Sequence, residues 1–285
     1  TFANSSSYAF KLDGRQARAK GAGRAGRSER KPMASEATIQ ARNTAWLKPG
    51  VNCQRVDRAS RFSMLMENEA YFAALESSLH KARRSIMVLG WQFDPRTHLD
   101  PASRHDDRKA EVGVMLRRLK AANPELEIRL LVWSSPWLIA ASQEGFPHRA
   151  QGWFLNGEAE FRLEPAWSLG ACHHQKVVVI DDRVAFCGGG DIASDRWDGE
   201  AHLDGDERRR TPKGGLSAPR HEMMCVMDGA AAHALGDLAR ERWRRARGEV
   251  LAPLAKASAD QDVHDPWPDG VAPDLTDVPV GLLRT

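Results

Sequence analysis

The stretch His173-His174-Gln175-Lys176-Val177-Val178-Val179-Ile180-Asp181-Asp182-Arg183-Val184-Ala185-Phe186-Cys187-Gly188-Gly189-Gly190-Asp191 decides how this chain is read. Two short apolar runs, 176–180 and 184–187, flank Asp182-Arg183 and predict a β-hairpin. Upstream, 85–91 (SIMVLGW) and 127–133 (EIRLLVW) read as buried strands, each preceded by a helical stripe. The first stripe, within 68–84, carries Tyr71, Phe72, Leu75, Leu79 and Ala82; the second, within 108–122, carries Val112, Met115, Leu116 and Leu119. Downstream, 160–163 and 222–227 are further strand segments, and 230–247 places Leu235, Leu238, Ala239 and Trp243 at helical spacing. Helix and strand in alternation predict an α/β fold, a mixed sheet flanked by helices.

A chain of 285 residues with 42% hydrophobic and 28% charged residues can bury a real core. Its longest purely aliphatic run, Val177–Ile180, is far short of the roughly 18 residues needed to cross a bilayer. The expectation is a cytoplasmic protein, at most peripheral at a membrane. Residues 1–32 hold eight Lys/Arg against Asp13 and Glu29, a surplus of six positive charges, so the rest of the chain nets −3. A basic body would mark a nucleic-acid binder; this body is acidic, and no nucleic-acid partner is expected. Cys53, Cys172, Cys187 and Cys225 are widely spaced, which suits reduced thiols.

Composition divides the chain into a disordered basic segment 1–45, an ordered body 46–248, and a Pro- and Asp-rich linker or loop 249–285. The opening residue is Thr1, and Met33 is a plausible initiator.

The central stretch carries the spacing H-x-K-x4-D-x6-G-G-x-D. Residues two apart in a strand share a face, so His174 and Lys176 reach one pocket. An imidazole beside a fixed cation suits attack on a phosphodiester, whose transition state gathers negative charge. Gly188-Gly189-Gly190 permits a tight turn that lets backbone N–H groups approach phosphate oxygens. A zinc site built from Cys172, His173, His174 and Cys187 lacks the usual ligand pairs and contains Lys176, which repels a cation; no metal and no other cofactor is expected. His173 reads as structural or pocket-lining. Asp191 also suits a turn or helix cap. The Arg-rich segment 240–247 reads as a solvated face. Trp91, Trp133, Trp137, Trp153 and Trp167 could line an acyl-chain entrance, although Trp91 and Trp133 sit in strands and read as core.

This spacing resembles the half-site motif of the phospholipase D superfamily. Arg196-Trp197-Asp198 and Val88-Leu89-Gly90-Trp91 look like its bacterial and eukaryotic phospholipase branch. The resemblance implies one half of a pseudo-two-fold phospholipase D fold. It implies that His174 attacks phosphorus to give a phosphohistidine, that Lys176 and Asp191 hold phosphate oxygens or shape their pocket with Gly188 and Gly189, and that Asp181 stabilises the local fold. The family's His-Asp segment matches His221-Glu222, so Glu222 would orient His174.

The family's site is built from two such motifs, and no second His-x-Lys occurs here. The proton donor for the leaving alkoxide is therefore expected from a second half in cis, missing from this sequence, or from a second chain in trans. A glycerophospholipid on a membrane surface is the substrate implied, with hydrolysis or transfer of its phosphatidyl group. A cardiolipin synthase-like transferase, a homodimeric nuclease of the superfamily, and a non-catalytic phosphate- or lipid-binding half-domain are the alternatives.

Overall fold

A computed structural model describes residues 10–11, 46–100, 108–136, 148–165, 171–246, 248–254 and 264–283. Trp137 and Trp167 lie outside these residues. In chain order the elements are β1 (Phe10–Lys11), β2 (Arg55–Met66), α1 (Glu67–His80), β3 (Ser85–Gly90), α2 (Val112–Ala122), β4 (Glu127–Trp133), β5 (Glu160–Glu164), β6 (Val177–Ile180), β7 (Val184–Gly188), β8 (Met223–Asp228), α3 (Gly229–Arg245) and β9 (Leu275–Leu282). The strands form one sheet, ordered β1-β9-β2-β8-β7-β6-β3-β4-β5. The pairs β3–β4 and β4–β5 are parallel and the others antiparallel. Parallel neighbours need a long crossover, which α2 supplies between β3 and β4.

The β6–β7 hairpin forms as its sequence predicts, with its turn centred one residue earlier. Asp181 and Asp182 both adopt left-handed backbone, φ 55 and 54, and Arg183 N donates to Ile180 O at 2.9 Å. Two consecutive left-handed residues give the turn the twist its strands require, and Asp tolerates that conformation better than most residues.

Alternation along the strands builds two cores. Val178, Ile180, Val184, Phe186, Ile86, Val88, Leu130 and Val132 pack with Phe72, Leu75 and Leu116 of α1 and α2. On the opposite face, Val177, Val179, Ala185, Cys187, Met87, Leu89 and Met227 pack with Leu235, Ala239 and Trp243 of α3. Burial of both faces explains why β6 reads as an unbroken apolar run rather than an alternating one.

Three sequence expectations change here. Arg240 and Arg242 do not lie on a solvated face: they are 8% and 2% exposed. Arg240 pairs with Asp182 at 2.6 Å and Arg242 with Glu164 at 2.5 Å, so each buried cation meets a buried carboxylate. The 249–285 segment is not all linker, because β9 pairs with β2 from Arg55↔Leu282 to Phe62↔Leu275. Pro279, Asp274 and Asp277 hide that strand from a propensity reading; Pro279 is tolerated because, among the described residues, β1 covers Leu282 and Gly281 and leaves the rest of β9 as an edge. Within 1–45, Phe10–Lys11 forms the two-residue strand on that edge. Among the described residues no helix is long and apolar enough to cross a membrane.

Candidate active site

The ends of β3, β7 and β8 meet the segment leading into β6, and this junction gathers the motif's polar side chains. Lys176 is held by Gly188, whose N–H donates to its carbonyl at 3.3 Å. The Lys176 side chain is 6% exposed, and its Nζ lies 3.2 Å from Asp191 Oδ2. Asp191 is itself 2% exposed, and its Oδ1 accepts the backbone N–H groups of Trp91 at 2.9 Å and Gln92 at 3.1 Å. One carboxylate thus fixes both the catalytic-type lysine and the loop that follows β3.

Trp91 forms the wall of the site. Its ring meets the His174 imidazole edge-on at 5.9 Å between centroids, lies 5.8 Å from Lys176 Nζ, and stacks on buried Trp133 at 5.7 Å. Arg196 completes the enclosure: its Nη2 donates to Gln92 Oε1 at 2.9 Å, and its guanidinium carbon lies 6.0 Å over Trp91. His174 is exposed and makes no hydrogen bond with any described residue. An accessible imidazole therefore faces solvent between two cations and an aromatic surface.

The electrostatics favour its neutral form. Partial burial, then the Lys176 and Arg196 cations, push the His174 imidazole below its ordinary value, with Asp191 opposing. Burial also pushes the Lys176 ammonium down, again opposed by Asp191. A neutral imidazole keeps the lone pair that a nucleophile needs, and the cations that keep it neutral can meet a phosphate.

The motif's other acidic residues have partners away from the imidazole. Asp181 closes the opposite end of β6, five residues beyond Lys176 and on the order of 16 Å away at strand rise. Its carboxylate accepts the N–H groups of Arg83, Arg84 and Ser85 at 2.9, 2.7 and 2.8 Å, and faces His264 Nε2 at 2.8 Å. Glu222 does not hold His174. Its Oε2 accepts from Asn68 Nδ2 at 3.0 Å, and its Oε1 lies 3.7 Å from Arg196 and 3.5 Å from Arg220. Glu222 thus steadies the cation beside the imidazole.

Nor do the glycines offer free N–H groups. Gly188, Gly189 and Gly190 donate to Lys176 O, Met223 O and Met224 Sδ. Two of them are glycines because of close approach: a Cβ on Gly188 would stand 2.4 Å from Met223 O, and one on Gly190 would stand 2.4 Å from Asn68 Oδ1. His173 lies beneath the site, 7% exposed, with Nε2 3.1 Å from Pro165 O. Trp91 and Arg196 are the residues sequence reasoning missed as site walls. Trp91 read as core and Arg196 as family context, and only the fold joins them.

A separate polar cluster of Glu67, His202 and His221 lies where α1 begins, with Glu67 bonded to the Glu222 backbone.

No family model matches the chain. Bovine phospholipase D2 is 29% identical over 128 residues, which is 45% of this chain and 13% of that protein. Phospholipase D zeta 1 of Arabidopsis thaliana is 29% identical over 160 residues, 53% of this chain and 14% of its own length. The chain thus spans a small fraction of these relatives. Among solved structures, NucT from Helicobacter pylori and the phospholipase D family member Nuc from Salmonella typhimurium each align with a TM-score of 0.39 and 12% identity. They cover 67% of this chain and 98% and 96% of their own. With the histidine–lysine–glycine spacing seated on the β6–β7 hairpin, the chain is similar over about half its length to phospholipases D.

Proposed function

We propose that this chain is one half of a phosphodiesterase site that cleaves or transfers the phosphatidyl group of a glycerophospholipid. The observation that carries the reading is the exposed His174 imidazole, without hydrogen bonds to described residues and flanked by Lys176 and Arg196. In the first step the imidazole nitrogen bonds to phosphorus, the P–O bond to the headgroup breaks, and the alkoxide leaves with a proton. In the second, water or an alcohol attacks phosphorus, the P–N bond breaks, and His174 is regenerated. Lys176 and Arg196 stand where they can offset the charge that accumulates on the phosphoryl oxygens. Asp191 serves by holding Lys176 rather than by touching phosphate, since two anions would repel.

The proton for the leaving alkoxide comes from a second histidine–lysine segment, in cis or from a second chain. The leaving group therefore provides the test. An ester of phosphatidic acid with p-nitrophenol needs no proton donor, because the phenolate is a stable anion. The chain is expected to release p-nitrophenolate from this ester, as a burst of about one per chain if the second step lacks its partner, or with turnover if chains pair. Choline release from phosphatidylcholine by the unpaired chain should be slower by at least about 100-fold, the usual contribution of general acid catalysis. Release that survives His174→Ala, or equal rates for the two esters in a monomer, would overturn the reading.

A further inference from the structure

Glu67, His202 and His221 come from three distant parts of the chain, yet their ligand-type atoms all lie within 4.8 Å of one another. The end of β2 pairs with the start of β8 through Met66↔Met223, which sets Glu67 opposite Glu222 and next to His221. Glu67 N donates to Glu222 O at 3.0 Å, and Glu222 N returns a bond to Glu67 Oε2 at 3.1 Å, so the carboxylate is fixed and its Oε1 is left for other partners. That oxygen meets His221 Nδ1 directly and stands 3.4 Å from His202 Nε2. In a tetrahedral site with bonds near 2.1 Å, two ligand atoms are about 3.4 Å apart.

Two further observations point to a ligand. The other nitrogen of His202, Nδ1, is held at 2.9 Å by Asp198 Oδ2. Asp198 is 1% exposed and is anchored by Arg209 Nη1 and by the N–H groups of Gly199 and Arg220. A buried carboxylate that fixes one imidazole nitrogen and aims the other is the arrangement that orients histidine ligands around metals. Both Glu67 and His202 also adopt left-handed backbone, φ 61 and 45, which costs on the order of 1–3 kcal/mol for such residues. Glu67 is 3% exposed and so is placed deliberately, whereas the His221 side chain is 66% exposed and leaves one side open.

We infer that Glu67, His202 and His221 bind one divalent cation of the zinc class, oriented by Asp198, which pins the 199–221 loop to the start of α1 beside the active site. Two imidazoles and one carboxylate suit zinc, with a fourth position left for water, and hard cations such as magnesium and calcium prefer all-oxygen sites. None of the three residues carries out a step proposed for His174.

The test uses the full chain, stripped with a chelator and then titrated with ZnCl2 by calorimetry and with CoCl2 by visible absorption. One zinc per chain is expected, with cobalt giving the intense visible bands of a low-coordinate site, and zinc should raise the melting temperature. His221→Ala removes an exposed ring and should fold normally; it should weaken zinc binding by at least about tenfold and abolish the cobalt bands, and His202→Ala should do the same. Absence of zinc uptake by the wild-type chain would overturn the inference. So would uptake of equal affinity in both histidine variants, since the metal would then sit elsewhere.

Discussion

Replacing Asp181 by alanine separates a structural carboxylate from a catalytic one. The residue is 4% exposed, and its carboxylate gathers three backbone N–H groups and the His264 ring at the end of the sheet remote from His174. Alanine leaves those donors without their acceptor. The Ser85 N–H is fully buried and bears the whole penalty of an orphaned donor, about 1–3 kcal/mol, whereas those of Arg83 and Arg84 are partly reached by water and cost less. Alanine also fits poorly at φ 55, which adds about 1 kcal/mol. Together the loss should be about 4 kcal/mol, a large fraction of the roughly 5–15 kcal/mol that holds a domain folded. Asparagine tolerates the backbone and keeps one acceptor, so Asp181→Asn should lose about half as much. Urea unfolding followed by tryptophan fluorescence measures both variants, and p-nitrophenolate release is read on the fraction still folded. Should Asp181→Ala unfold within about 1 kcal/mol of wild type while release from folded protein disappears, the structural assignment is wrong and Asp181 belongs to the chemistry.

Other consequences follow from the same geometry. Burial, then the Arg242 cation, push His173 from 6.5 down to about 4, so the folded state takes up its proton later than the unfolded state does. Its contribution is complete above pH 6.5 and is lost as pH falls to about 4, by about 3 kcal/mol; His173→Gln should flatten that part of the stability profile in urea. His174 is likewise held below 6.5, and since the nucleophile must be neutral, the acid limb of His174-dependent release should fall below pH 6.5 in a rate–pH profile. A Cβ at Gly188 would meet backbone atoms at 2.4 and 2.7 Å, against 3.6 Å at Gly189. Gly188→Ala should therefore destabilise by about 1–3 kcal/mol or more, while Gly189→Ala should stay within about 0.5 kcal/mol in the same unfolding assay.

How far the sequence led depends on whether neighbours in space were neighbours in the chain. The β6–β7 hairpin, with Lys176 and Asp191 on its open end, was legible because turn, strand and motif fall within twenty residues. The helices around Phe72, Leu116 and Leu235 were legible from periodicity, since each buries one stripe. β9 was not, because Pro279 and two aspartates lower its propensity while pairing with β2 supplies the stability. Nor was β2, where Arg55 and Asp57 pair with each other along the strand and Arg61 is met by Asp228, brought in by tertiary structure. Glu222 was placed near the site correctly but against the wrong partner: its carboxylate reaches Asn68 and Arg196, and no feature of local spacing distinguishes that from a bond to His174. The glycines were read as a phosphate cradle, whereas the contacts of Gly188 and Gly190 with β8 and α1 show packing to be the reason for them. The Glu67–His202–His221 cluster was invisible in a scan for paired ligands, because its members are 135 and 19 residues apart.

The central claim is that His174 is the atom donor to phosphorus. The most direct measurement mixes the chain with the p-nitrophenyl ester of a short-chain phosphatidic acid, quenches without acid, and maps the modified peptide by mass spectrometry. The account predicts one phosphatidyl group on His174, absent in His174→Ala. A phosphatidyl group on any other residue, or release of p-nitrophenolate with the same yield in His174→Ala, would contradict it.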